Sequence, residues 1–365
     1  MAVVNRRLLQ PGERIRVMVV DDSVVIRRLV TQALEEDPTI DVVGSASNGA
    51  IGLQRMPQWK PDVITLDIEM PDMDGLEMLR RVRREYPQVR VIMFSTLTER
   101  GAAITLEALT LGADDYVAKV ANEGSLDRSM TRLREDMIPK IKQFFHMPAS
   151  VSAAKPAIAS SARAAAPPLQ GLKLRPKVLV IGVSTGGPTA LGAMLPSFPA
   201  TFPLPILLVQ HMPPLFTRLL AERLNLTCPL TVEEASQGQA VEVGKILIAP
   251  GNFHMKVASS AGAVRVCLDQ SAQQNSCRPA VDPLFASAAE VYGGAVLAVV
   301  LTGMGQDGLR GAEILRARGA RVLVQDEASS VVWGMPGSVA NAGLADRVLP
   351  LDEIVPEILS ITGRN

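Results

Sequence analysis

The sequence predicts two α/β domains, each built on a mostly parallel sheet with helices on both faces, and a tether between them. Three observations carry this prediction. Strand-like apolar runs alternate with helix-period segments in both halves of the chain, the pattern of βα units. The alternation breaks once, between His146 and Lys173, where the composition turns to Ala, Ser and Pro. Several apolar runs also stop abruptly on Asp, Ser, His or a glycine-rich turn, as strands do where their ends form a binding edge. The length of 365 residues exceeds what one ordinary core takes up, and 47% hydrophobic residues can fill two.

In the first half the strand-like segments are "IRVMVVD", "DVVGSA", "DVITLD", "VRVIMFS" and "DYVAK". Each is short and bounded by polar or turn residues. Between them, "VVIRRLVTQALEED" and "GLEMLRRVRREY" carry apolar residues at three- and four-residue spacing, the stripe of a helix lying on a sheet. The stretch "HMPASVSAAKPAIASSARAAAPPLQGLK" has no acidic residue and few large apolar ones. It cannot bury enough surface to offset its chain entropy, and Pro148, Pro156, Pro167 and Pro168 interrupt an alanine-rich helix. It is expected to be a flexible linker. Beyond it "KVLVIGV", "PILLVQ", "KILIAP", "AVLAVVLT" and "ARVLVQ" repeat the strand pattern. The expected division is a first domain at 14–133, a terminal helix and linker at 134–174, and a second domain at 175–365.

Asp21 and Asp22 close the first strand and Asp67 the third. On a parallel sheet those ends share one edge, so three carboxylates repel there unless a cation neutralises them. Oxygen ligands of this kind suit Mg²⁺. Ser95 ends the fourth strand and Lys119 the last. A metal, a hydroxyl and an ammonium around one aspartate suit phosphoryl transfer onto Asp67, because they balance the charge of the entering group. Asp22 or Asp74 alone reads better as a helix cap; the ordered set of five positions points to a site.

This set resembles the receiver domain of bacterial response regulators. The resemblance implies a flavodoxin-like (βα)5 fold with Asp67 as phosphoacceptor. It implies Mg²⁺ held by Asp21, Asp22, Asp67 and the backbone carbonyl of Glu69. Ser95 and Tyr116 would be the switch residues, and Lys119 the partner of the phosphoryl group. Val120 stands where the family usually has proline, which leaves the geometry of the loop after Lys119 open.

The second domain poses a different question. "KVLVIGV" runs into Ser184, and "STGGPTA" then strips the turn of side chains. Such a turn either cradles an anion at a helix N-terminus or exposes a nucleophile. No Gly-Lys-Ser/Thr follows, the glycine spacing does not fit a dinucleotide fingerprint, and "GVSTGG" fits G-x-S-x-G only loosely. "PILLVQHMPP" presents His211 after a strand, and "AVLAVVLTGMGQDG" presents Asp307. If the strands are parallel, serine, histidine and aspartate gather at one edge. Acyl transfer needs that: a hydroxyl requires a base, the base an orienting carboxylate, and the amides of a helix starting near Pro188 can hold an oxyanion. His254, after "KILIAP", is a rival base, and Asp307 could simply cap a helix. Spacing leaves both alternatives open.

"GVSTGG", "VQHMP", "APGNFHM" and "LTGMGQDG" together resemble the catalytic domain of chemotaxis protein-glutamate methylesterases. The resemblance implies a doubly wound α/β domain with Ser184 as nucleophile, His211 as general base and Asp307 as orienting carboxylate. It places an oxyanion site and pocket around the Met304 backbone, Thr185, Gly186 and His254, with no cofactor. It implies hydrolysis of glutamate γ-methyl esters on the cytoplasmic domain of chemoreceptors, with glutamine deamidation as a second activity. A chemosensory histidine kinase would be the phosphodonor, and the receiver would cover the catalytic opening until Asp67 is phosphorylated.

Composition narrows the other classes. Lys plus Arg and Asp plus Glu balance at 37 each, which argues against nucleic-acid binding by overall charge. No helix-turn-helix pattern follows the linker. A catalytically dead module that only sequesters receptor or phosphate is the other alternative. Cys228, Cys267 and Cys277 lack CxxC spacing and read as packed or surface thiols in a reducing compartment. No apolar run approaches the ~20 residues of a membrane span, and "MAVVNRRLLQPGER" lacks an apolar signal core. A cytoplasmic, monomeric protein without membrane insertion is expected.

Overall fold

The computed structural model describes residues 7–96, 98–119, 126–146, 174–260 and 262–363. Val120 and the Ala/Pro/Ser-rich linker lie outside the described residues. The strands of the first half are β1 (Arg7–Leu8), β2 (Ile15–Val20), β3 (Ile40–Ala46), β4 (Val63–Asp67), β5 (Arg90–Ser95), β6 (Asp115–Ala118) and β7 (Phe145–His146). Its helices are α1 (Val24–Glu35), α2 (Gly49–Trp59), α3 (Gly75–Glu85), α4 (Glu99–Thr110) and α5 (Leu126–Lys142). β2 to β6 form one parallel sheet in the order β3-β2-β4-β5-β6, the flavodoxin-like arrangement. Every residue of the middle strand β4 is buried, because helices cover both faces.

Local chemistry starts these helices. Ser23, Asn48, Asp74 and Thr98 each accept a hydrogen bond from a backbone N–H of the first turn of α1, α2, α3 and α4. Asp74 is therefore a cap, not a member of the acidic cluster. The terminal helix expected after residue 133 is the second half of α5. α5 continues unbroken to Lys142, since Met130, Leu133, Met137 and Ile141 form one stripe in the same core as Val30 and Leu34. β1 pairs in parallel with β7.

The second half contains β8 (Val178–Val183), β9 (Ile206–Gln210), β10 (Thr231–Glu234), β11 (Lys245–Ile248), β12 (His254–Ser260), β13 (Ala263–Asp269), β14 (Val296–Val300), β15 (Arg321–Gln325) and β16 (Arg347–Leu349). Its helices are α6 (Gly187–Met194), α7 (Phe216–Asn225), α8 (Val281–Tyr292), α9 (Leu309–Ala317), α10 (Met335–Asn341) and α11 (Leu351–Thr362). Among the described residues its main sheet is all parallel, in the order β10-β11-β9-β8-β14-β15-β16. β12 and β13 form a separate antiparallel hairpin. The chain winds outward from β8 on one side and from β14 on the other, so the topological switch point lies between these two strands. Both are buried throughout, and alternate residues face opposite layers: Leu179, Ile181 and Val183 one way, Val178 and Val180 the other.

The two domains meet through α4 and β6 of the first and α6 and α7 of the second. The Tyr116 ring stacks on Phe216, with centroids 4.8 Å apart and planes 7° from parallel. Leu106, Leu109 and Tyr116 continue the apolar cluster of Leu191 and Phe216 across the junction. Thr189 Oγ1 donates to the Leu109 carbonyl at 2.8 Å, and Arg218 pairs with Glu99 at 2.8 Å. Among the described residues no helix is long and apolar enough to cross a membrane.

Candidate active site

Ser184 follows β8 at the switch point. Its backbone N–H donates to Thr302 O at 3.0 Å, and its carbonyl accepts from Gly187 N at 2.8 Å and from Gln210 Nε2 at 2.9 Å. These bonds fix the turn without using the serine hydroxyl. Gly186 has φ +78°, and a Cβ there would stand 2.6 Å from Val331 Cγ2, so both conformation and space require glycine. α6 starts at the next residue, with its first amides free of side-chain caps. A helix N-terminus of this kind stabilises negative charge beside Ser184.

His211 follows β9, and its Nε2 lies 2.7 Å from Asp307 Oδ2. Asp307 is buried in a cage of donors. Oδ2 also accepts from Val281 N at 2.6 Å, and Oδ1 from Asp282 N at 3.1 Å, Gly308 N at 3.0 Å and Asn275 Nδ2 at 2.9 Å. Val281 N and Asp282 N open α8. Asp282 in turn accepts from Gly308 N and Gly311 N at the start of α9. Each of the two aspartates thus holds the start of the other's helix. Burial alone would raise the Asp307 pKa. The His211 bond and charge and the α8 amides more than offset it and hold the carboxyl below its ordinary range. Burial likewise disfavours charged His211, but the bonds to Asp307 and then Cys277 outweigh it and raise the imidazolium pKa to about 10. Asp307 occupies Nε2, so Nδ1 is the nitrogen that acts as a base in the neutral ring, and the raised pKa means that this form gains population as pH rises toward about 10.

Ser184 and His211 line one cleft of about 650 Å³, together with Thr185, Gly186 and Met304. The opposite wall is the first domain, through Tyr116, Asp136, Pro139 and Lys140. Thr185 lines the cleft, yet its hydroxyl is spent on that wall: it donates to Asp115 Oδ2 at 2.9 Å. Lys140 Nζ, 3.0 Å from Asp115 Oδ1, holds the same carboxylate from behind.

His254 corrects the expectation of a pocket residue. It is fully buried and does not line the cleft. Nδ1 accepts from Ala280 N at 3.2 Å and Nε2 donates to Ala272 O at 3.1 Å, so neither nitrogen is available as a base. Its work is to fix the residue that precedes α8. His254→Ala is expected to cost about 1–3 kcal/mol of stability through the unpaired amide. Its effect on turnover should fall far short of the roughly 10²-fold or more expected for His211→Ala. Thermal melts and ester turnover of the two variants check this; the reverse ranking in turnover would move the base to His254.

The first domain gathers a second site at the ends of β2, β4 and β6. Lys119 Nζ lies 2.7 Å from Asp67 Oδ2 and 2.9 Å from Asp21 Oδ2. Carboxylate oxygens of Asp21, Asp22 and Asp67 lie within 4.8 Å of one another. Burial, with help from Asp21, raises the Asp67 pKa to about 6 against the pull of Lys119. Asp21 Oδ2 is buried with the Lys119 ammonium beside it. Three crowded carboxylates that share this one ammonium fit an oxygen-liganded divalent cation. Ser95 is not brought to Asp67: its hydroxyl is tied to Thr105 Oγ1 at 2.6 Å and Gly101 O at 3.2 Å on α4. The Glu69 side chain is exposed, 3.3 Å from Arg100.

Sequence reasoning missed Asp115, Gln210, Asn275, Cys277, Asp282 and Thr302. Asp282 reads as an ordinary first-turn acid, and Asp115 as a strand end. Their partners lie in other elements, and no periodicity announces those.

Two family models match the chain: CheB methylesterase over residues 179–358 and the response regulator receiver domain over residues 17–131. A protein-glutamate methylesterase/protein-glutamine glutaminase of Trichodesmium erythraeum is 51% identical over 352 residues, 96% of this chain and 99% of that one. One of the same name from a Nocardioides species is 54% identical, over 96% of this chain and 95% of its own. The crystal structure of the Thermotoga maritima CheB methylesterase catalytic domain covers 52% of this chain and all of that one, at 46% identity and a TM-score of 0.50.

Proposed function

The chain belongs to the CheB methylesterase family, with a response-regulator receiver ahead of the catalytic domain, and on that premise we propose that it is a phosphorylation-activated protein-glutamate methylesterase and protein-glutamine glutaminase of chemosensory adaptation. The observation that carries the reading is that Ser184 and His211 line one cleft beside the switch point, walled on its other side by the receiver, with buried Asp307 2.7 Å behind His211. Ser184 Oγ attacks the γ-carbonyl of a methylated receptor glutamate, and His211 Nδ1 takes its proton. Asp307 holds Nε2–H and stabilises the imidazolium. The amides opening α6, with the Met304 backbone, receive the oxyanion. His211 returns the proton as methanol leaves, and water then frees the acyl-enzyme as glutamate. Deamidation follows the same path and is harder, because the amide is less electrophilic and its nitrogen must leave protonated.

The substrate is the cytoplasmic domain of a chemoreceptor and the phosphodonor a chemosensory histidine kinase, which sets the protein in the cytoplasm. Asp21, Asp22, Asp67 and the Glu69 carbonyl would hold Mg²⁺, whose chemistry when bound is charge neutralisation. Lys119 Nζ, already on Asp67, would hold a phosphoryl oxygen. β6 supports a route to the other domain: Lys119 follows one end, and Asp115 and Tyr116, which touch Thr185 and Phe216, form the other. Phosphorylation adds about −1.5 to −2 charge beside Lys119 and can bias such an interface. The reading is tested by methanol release from methylated receptor with and without a phosphodonor.

Asp67 is expected to take up phosphate from acetyl phosphate when Mg²⁺ is present, and not after chelation. Radiolabelling of wild type and Asp67→Ala measures this. Label that survives either chelation or the substitution would remove Asp67 as a metal-assisted acceptor.

A further inference from the structure

Cys228, Cys267 and Cys277 are all half-buried, but one of them faces a base. Cys277 Sγ lies 3.5 Å from His211 Nδ1, the nitrogen that Asp307 leaves free. Cys228 donates instead to Leu195 O, and burial raises its thiol pKa. A rigid turn sets the Cys277 contact. Gln274 and Cys277 exchange backbone hydrogen bonds of 3.1 and 2.9 Å around Asn275 and Ser276, whose φ values are 50° and 61°. The same turn carries the Asn275 amide that holds Asp307. One piece of backbone therefore fixes both ends of an aspartate–histidine–cysteine relay. The His211 side chain is 10% exposed, so this contact is made in a largely dry setting, while Cys277 also lines the open cleft.

We propose that Cys277 is a second nucleophile of this cleft: a thiol that His211 deprotonates, that soft electrophiles and hydroperoxides modify, and whose modification switches the esterase off. The proposal rests on the reading of His211 as the general base. His211 Nδ1 takes the S–H proton, and Asp307 stabilises the imidazolium, the arrangement that activates a thiol. With iodoacetamide an S–C bond forms, the C–I bond breaks, iodide leaves and the proton stays on His211. With hydrogen peroxide an S–O bond forms and the O–O bond breaks. Sulfur is oxidised to sulfenic acid and peroxide reduced; the departing hydroxide takes the imidazolium proton and leaves as water. Either product stands at Nδ1, where the Ser184 proton must go.

The test treats the full-length protein with iodoacetamide, or with hydrogen peroxide followed by a sulfenic-acid trap, and reads each cysteine by mass spectrometry. Cys277 should alkylate roughly ten-fold or more faster than Cys228 and Cys267, and His211→Ala should bring it down to their rate. Esterase activity should fall in step with Cys277 labelling, and dithiothreitol should restore it after peroxide but not after alkylation. Whatever rate Cys277→Ala keeps should be indifferent to both reagents. The proposal is overturned if Cys277 labels no faster than the other two cysteines or equally fast in His211→Ala. Labelling that leaves turnover unchanged overturns it too. Labelling is read apart from ester hydrolysis, so failure of the serine mechanism would show separately, as methanol release surviving Ser184→Ala.

Discussion

Ser184→Ala is expected to lower methanol release from methylated receptor by roughly 10⁴–10⁶-fold while leaving the fold in place. The size follows from its position. The hydroxyl stands at the start of α6, in the cleft that His211 shares, and in this reading it forms the covalent bond on which both half-reactions depend. The fold survives because the local hydrogen bonds run through the Ser184 N–H and carbonyl, which alanine keeps. Removing His211 as well should cost little more, since nucleophile and base act as a unit. Turnover of the single and double variants, with circular dichroism and melting curves, gives the answer. A folded Ser184→Ala chain that turns over normally would end the serine mechanism.

Ser184 and His211 were legible because each directly follows a run of buried β-branched and aliphatic residues, and Asp307 because it lies in the glycine-rich loop after a third; parallel topology sends such ends to one edge. The same logic gathered Asp21, Asp67 and Lys119. It could not rank His254 against His211, since both follow or open a strand. What separates them is hydrogen bonding: one ring nitrogen of His211 is left for the cleft, whereas both nitrogens of His254 are spent on backbone. The strands that pattern reading missed are also explained. β10 reads "TVEE" at a sheet edge where only one face is covered, and β12 and β13 lie off the main sheet with part of each face wet. The helix expected after residue 133 is the continuation of α5, whose Met137 and Ile141 join the core of Val30 and Leu34, and β1 pairs with β7 from the far end of the domain. Asp115 is the instructive miss. Its chemistry is ordinary; its meaning lies in the partner it meets 70 residues away, Thr185 beside the nucleophile.

That contact frames the second large effect. The fragment from about Arg175 to Asn365 is expected to hydrolyse methylated receptor roughly 10- to 100-fold faster than the unphosphorylated full chain, a change worth about 1.4–2.8 kcal/mol. The fragment carries a complete sheet and one core layer that is wholly its own, and the catalytic domain of the Thermotoga maritima relative crystallised as a separate chain. In the full chain Tyr116, Pro139 and Lys140 line the same cleft of about 650 Å³ as Ser184, so in the proposed reading the receiver stands where a receptor helix would have to approach. The docked surface is held by few bonds. The Arg218–Glu99 pair is exposed and contributes at most about 1 kcal/mol. The stacked Tyr116–Phe216 rings and the buried Asp115–Thr185 bond contribute more per contact. An interface between domains of one chain is typically only about 600–1,500 Å², so a charge change at Asp67 can shift it. Phosphorylation should therefore close most of the gap, and Asp115→Asn in the full chain should close part of it without phosphate. Added salt should do little, because the exposed ion pair is the smaller share. Initial rates on one methylated receptor preparation compare fragment, full chain, phosphorylated chain and Asp115→Asn. A fragment no faster than the resting full chain would mean that docking does not inhibit, and that the receiver acts by recruiting the receptor instead.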